Sequence, residues 1–131
     1  MSIPEHCQSS LEAESTIYLF RHGARYDLDD PSWRESIVKV GGLVTDTPLS
    51  AEGHEQSRKA AIRLGKLKVD EILVSPYLRT IQTAIPFSLQ MGVKIFVEDG
   101  LVEAPHVPGA LPSPLERYKY FSQIDTTTNQ F

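Results

Sequence analysis

Three short apolar runs, each closed by a turn and set apart by stretches of helical periodicity, constrain this chain more than any other feature. Thr16-Ile17-Tyr18-Leu19-Phe20, then Ile72-Leu73-Val74 within 69–74, then Val93-Lys94-Ile95-Phe96-Val97 read as strands. Each is rich in β-branched or aromatic residues, and Gly, Ser or Asp follows it. Between the first two, Ser50 is a good N-cap, Glu52 and Glu55 suit a helix start, and Lys59, Arg63 and Lys66 suit its later turns. Gly53, Ser57, Ala60, Ala61 and Leu64 make a small-residue face at helical spacing, and Gly65 fits a stop. Between the second and third runs, Ser75-Pro76 is a cap-and-first-turn signal, and Leu78, Ile81, Ala84, Ile85 and Leu89 form the buried stripe. Pro86 within that stripe predicts a kink or an early break. The alternation predicts an α/β fold: three layers, a mostly parallel sheet with helices on both faces, and right-handed crossovers.

Around this frame the signal is weaker. Residues 1–15 read as a flexible polar arm and 16–131 as one domain. Residues 26–47 read as an irregular insertion with Asp27, Asp29, Asp30, Pro31 and Trp33, a type of insertion that more often serves function than not. Pro105, Pro108, Pro112 and Pro114 block regular structure, 115–121 suits a short helix, and 126–130 reads as frayed.

Composition removes several function classes. A formal net charge of −4 argues against general nucleic-acid binding, so any cationic pocket is local. The single cysteine, Cys7, allows neither an intrachain disulfide nor a cysteine zinc cluster, and no strand or glycine turn prepares it as a nucleophile. His6, His22, His54 and His106 show no metal-ligand spacing. With no signal-peptide core and no apolar run near ~20 residues, the expectation is a soluble cytoplasmic protein with no membrane partner, no metal and no cofactor.

The chemistry collects where the strands end. Arg21-His22-Gly23 and Arg25 follow the first run, Ser75 and Arg79 the second, and Gly100-Leu101-Val102-Glu103 the third. In a parallel sheet these ends share one edge, where open α/β folds bind ligands. Guanidinium groups match phosphate in bidentate geometry, a histidine can take up a phosphoryl group, and a carboxylic acid can protonate the leaving oxygen. Read alone, an Arg-His pair is ordinary surface, and Arg79 would as readily pair with Glu103 or another acid. His54 reads as a surface helix residue, and His106 as a loop residue that could line the pocket.

Taken together, the segments Leu19-Phe20-Arg21-His22-Gly23, Thr47-Pro48-Leu49-Ser50-Ala51-Glu52-Gly53-His54-Glu55-Gln56, Ser75-Pro76-Tyr77-Leu78-Arg79-Thr80-Ile81-Gln82-Thr83-Ala84 and Gly100-Leu101-Val102-Glu103 resemble the histidine phosphatase superfamily. That superfamily includes the cofactor-dependent phosphoglycerate mutases. The resemblance implies that His22 is the phosphorylated nucleophile, Arg21 and Arg79 hold phosphate, and Glu103 is the acid. Arg25, with Asp27 and Trp33, is similar to the suppressor-of-T-cell-receptor-signalling and ecdysteroid-phosphate phosphatases, and implies a second phosphate-facing arginine. A phosphomonoester hydrolase acting on a phosphorylated small molecule or phosphoprotein is the first expectation. A non-catalytic phosphate-binding module is the alternative, and a mutase ranks below both. The resemblance also implies a second histidine on a late strand, and no such segment follows Glu103 in these 131 residues. On that ground 16–131 is a partial domain, a fragment or a short form. With strand one uncovered, the expectation is marginal stability or self-association.

Overall fold

The computed structural model describes residues 14–103 and 110–127, so Cys7, His6 and His106 lie outside the described residues. Two short helices, α1 (Tyr26–Asp29) and α2 (Trp33–Lys39), precede the long helix α3 (Ala51–Leu64). Strand β1 (Ile72–Val74), helix α4 (Leu78–Met91), strand β2 (Ile95–Val97), a 3-10 turn at Asp99–Leu101 and helix α5 (Pro114–Tyr118) follow. The α/β class and the parallel pairing hold: β1 and β2 run parallel, with Ile72 opposite Ile95 and Val74 opposite Val97.

The third row of the sheet comes from a stretch that no apolar run announces. Ile95 donates to the Gln123 carbonyl at 2.9 Å, and Asp125 donates to the Ile95 carbonyl at 2.8 Å. Ile124 thereby lies parallel to β2 as a third row. Its side chain joins Val74, Ile81, Ala84 and Ile95 in the core. Helix α4 covers these residues, and α3 packs on α4. Burying such aliphatic side chains contributes about 1.5–3 kcal/mol each before entropy is counted. Leu73, on the opposite face by strand alternation, is exposed.

Helix α3 starts as the sequence reads, with the Ser50 hydroxyl accepting from Gly53 N–H at 3.1 Å. Gly53, Ser57 and Ala61 form its buried face. Helix α4 starts two residues later than Ser75-Pro76 suggests. Asp46, 32 residues upstream, accepts from Leu78 N–H at 2.7 Å and supplies the cap from outside. Ser75 turns its hydroxyl to Thr80 instead, at 2.7 Å. The break expected at Pro86 does not occur. The helix runs on to Met91 and ends at Gly92 with φ +67°. Buried Ile81, Ala84, Phe87 and Ser88 flank the proline, so packing on both sides holds the helix across one missing hydrogen bond. Leu89, read as part of the buried stripe, is exposed, and Phe87 takes that place.

The insertion is more regular than its sequence suggests, since it holds α1 and α2. Pro114 does not block structure: it opens α5, where Ser113 and Glu116 form a reciprocal capping box. The largest departure is the first strand. Residues 14–20 carry no ladder among the described residues, and Ile17 and Leu19 are 80% and 91% exposed. An extended run becomes a strand only when a neighbour takes its N–H and C=O groups. Here β2 pairs with β1 and with Ile124, and among the described residues no strand lies against 16–20. Phe20 alone finds a partner there, its ring 5.0 Å from that of Phe87. Among the described residues no helix is long and apolar enough to cross a membrane.

Candidate active site

The segment after Phe20 is held by the two long helices rather than by a sheet. Gly23 N–H donates to the Thr83 hydroxyl on α4 at 3.0 Å, and Ala24 N–H donates to Gln56 Oε1 on α3 at 2.8 Å. The Ala24 carbonyl accepts from Ser50 N–H at 2.9 Å. Tyr26 N–H donates to the Pro48 carbonyl at 3.0 Å, and Arg25 bridges to Leu49. The fit demands two glycines. A Cβ on Gly23 would lie 2.6 Å from the Gly53 carbonyl oxygen, and one on Gly53 would lie 2.2 Å from that of Ala24. Thus Arg21-His22-Gly23 forms a loop clamped in register against both helices, with no strand behind it among the described residues.

His22 is oriented by its own turn. Its Nδ1 lies 2.8 Å from the Gly23 carbonyl oxygen. A carbonyl can only accept, so Nδ1 carries the proton there, and in the neutral ring the Nε2 lone pair is left free. That is the tautomer a nitrogen nucleophile needs.

Arg79 is the buried cation of the site, only 5% exposed although it sits in the first turn of α4. Its guanidinium lies 4.3 Å from the Tyr77 ring centre. Its ionic partner is Glu103 at 3.6 Å, a carboxylate whose side chain is 74% exposed. The Nε of Arg79 is buried without an acceptor. The structure therefore joins Arg79 and Glu103 directly. It joins Arg79 to the histidine loop through one hydroxyl, because Thr83 donates to the Arg79 carbonyl at 2.8 Å while accepting from Gly23.

The other two arginines differ. Arg21 is exposed, and no carboxylate pairs with it among the described residues. Arg25 is engaged: its Nε and one terminal nitrogen donate to both Asp27 oxygens, at 2.9 and 2.6 Å. Burial works against a charged Asp27, but the hydrogen bond and charge of Arg25 outweigh it, helped by the local backbone and Thr47. The net result holds the Asp27 carboxyl below its ordinary range. His54 is on the exposed side of α3, as its position in the pattern suggests.

Several contributors escaped sequence reasoning. Gln56 and Gln82 act through side-chain carbonyls, Gln82 accepting from Leu49 N–H at 2.8 Å. Asp46 caps α4 while also pairing with Arg117, which reaches the Pro76 carbonyl as well, at 3.3 Å. Nothing local marks these residues, because each partner lies far away in sequence. Gln56, Gln82 and Thr83 stood inside the family-like segments, which was the one available signal.

The Arg-His-Gly loop is thus tied to the turn of α4 that carries a buried arginine, on a parallel α/β core. The family pattern of the histidine phosphatase superfamily (branch 1) matches residues 17–107, and the chain belongs to that superfamily. It is 29% identical over 131 residues to the 2,3-bisphosphoglycerate-dependent phosphoglycerate mutase 1 of Arabidopsis thaliana, a match spanning 98% of this chain and 33% of that protein. The crystal structure of the ecdysone phosphate phosphatase from Bombix mori, in complex with tungstate, superposes with a TM-score of 0.68 at 28% identity. That superposition covers 83% of this chain and 54% of the other. The chain thus spans about a third of the first relative and about half of the second.

Proposed function

We propose that this chain is a phosphomonoester hydrolase that works through a phosphohistidine on His22. The observation carrying the reading is the buried guanidinium of Arg79, balanced among the described residues only by an exposed carboxylate 3.6 Å away. A phosphate dianion is a better partner for that cation than a solvated Glu103, and it reaches guanidinium in bidentate geometry. Arg21 lies free in the histidine loop to add a second contact, and Arg25 can add a third by exchanging Asp27 for phosphate.

With phosphate bound, Glu103 leaves Arg79 and takes up a proton from solvent; Nε2 of His22 attacks phosphorus, the ester P–O bond breaks, and Glu103 passes that proton to the leaving oxygen. Water then attacks the phosphohistidine, Glu103 takes a proton from it, the P–N bond breaks, and phosphate departs. The arginines stabilise the charge on the equatorial oxygens in both steps. Substrates are phosphorylated small molecules or phosphoproteins. The phosphatase likeness at TM-score 0.68 and the Arg25 position support hydrolysis over mutase chemistry.

Incubation with p-nitrophenyl phosphate should release p-nitrophenol and leave acid-labile phosphate on the protein. His22→Ala should carry no label, and tungstate should compete. Label retained in that variant defeats the assignment. Tungstate binding without hydrolysis makes the chain a phosphate-binding module instead.

A further inference from the structure

We infer that Thr83 is the positioning residue that sets His22 against Arg79, an inference that rests on the phosphohistidine reading above. One hydroxyl has one proton and lone pairs to accept with, and here both capacities are used. The proton goes to the Arg79 carbonyl at 2.8 Å, and the lone pair takes the Gly23 N–H at 3.0 Å. The first bond is a back-bond of a kind many helical threonines make. The second is not local: it spans 60 residues and ends on the amide directly after His22.

The neighbouring constraints leave Thr83 this task. Gly23 has no room for a side chain on the α3 side, because a Cβ there would lie 2.6 Å from the Gly53 carbonyl oxygen. Gly23 also carries the carbonyl that fixes His22 Nδ1 at 2.8 Å. Its N–H, carbonyl and Cα are therefore three handles on the imidazole, and only the N–H handle leads to α4. The Arg79 side chain starts one turn before Thr83 on the same helix. Thr83 therefore fixes the distance between nucleophile and phosphate cation without touching phosphate. Misplacing reacting groups by about 1 Å can cost about 10²-fold in rate.

Ser57 supplies the control. Its hydroxyl donates to the carbonyl of the same Thr83 at 2.5 Å, so Ser57→Ala disturbs the α3–α4 contact at this residue and leaves the Thr83 hydroxyl intact. The experiment measures the rate at which p-nitrophenyl phosphate labels the full chain. It compares wild type with Thr83→Val, Thr83→Ser and Ser57→Ala, and follows inorganic-phosphate binding and Gly23 amide exchange in each. Thr83→Val should slow labelling about 10²-fold. It should weaken phosphate binding only a few-fold and speed Gly23 exchange. Thr83→Ser should recover all three, and Ser57→Ala should stay near wild type. Labelling of Thr83→Val at the wild-type rate overturns the inference, as does a Ser57→Ala defect of equal size. If Thr83→Val does not fold, failure of Thr83→Ser to match wild type overturns it. If wild type itself takes no label, the hydrolase reading falls. Positioning is then decided by Gly23 exchange alone, and unchanged exchange in Thr83→Val overturns it.

Discussion

Two arginines of this chain are buried to nearly the same degree, 5% exposed for Arg79 and 8% for Arg117, yet they are answered differently. Arg117 meets Asp46, itself only 4% exposed, and a backbone carbonyl. Arg79 meets an aromatic face and a carboxylate that is mostly in water. The first is a buried ion pair that ties α5 to the start of α4. The second is a desolvated cation whose partner leaves easily. The difference separates a cation answered inside the protein from one answered at its surface: burial of the cation is common to both, and burial of the anion is not.

The comparison breaks first at Asp46. Asp46→Ala strands Arg117 as a buried charge and uncaps α4, so urea denaturation should show a loss of about 3–5 kcal/mol. Adding Arg117→Met should return part of it. A loss under ~1 kcal/mol for the single variant would erase the distinction. Next comes Arg79→Met. Phosphate at a hundred times its dissociation constant should stabilise wild type by about 2.7 kcal/mol. That protection should vanish in the variant, and its survival would place the phosphate elsewhere. Smaller still in stability is Glu103→Gln, which should shift unfolding by under ~0.5 kcal/mol because its pair is exposed. It should tighten tungstate binding while slowing p-nitrophenyl phosphate turnover about 10²–10⁴-fold. Weaker tungstate binding in this variant would show that Glu103 supports the anion site rather than competing with it.

The smallest effect tests the third arginine. The folded Asp27 carboxyl titrates below its ordinary 3.8, so its pair with Arg25 stabilises the fold above that value and is lost as pH falls through the folded pKa. Acid unfolding of wild type should steepen below pH 3.8, and Asp27→Asn should flatten that limb. Parallel curves would mean that the pair does not hold Arg25.

Much of this was readable from the chain. The caps and stripes of α3 and α4 are set by residues within a few positions of one another, and Ser50, Gly53 and Ile81 behave as the pattern says. His22, Arg79 and Glu103 were readable as chemical types, and two of them meet in space. What was not readable shares one physical cause. The run 16–20 has every strand signal and no strand partner among the described residues, and the first turn of α4 is decided by a carboxylate 32 residues away. Ile124 enters the sheet from an otherwise polar stretch because β2 had a free side.

By itself the sequence determined the bodies of the two long helices, the two paired strands and the chemistry available at their ends, since side-chain periodicity and capping act over one or two turns. The tertiary structure alone decided which charges are answered, whether an apolar run becomes a strand, and that a threonine hydroxyl joins the Arg-His-Gly loop to the helix turn that carries Arg79. Those outcomes depend on hydrogen-bond acceptors and counter-charges brought from distant parts of the chain, and no local pattern encodes them.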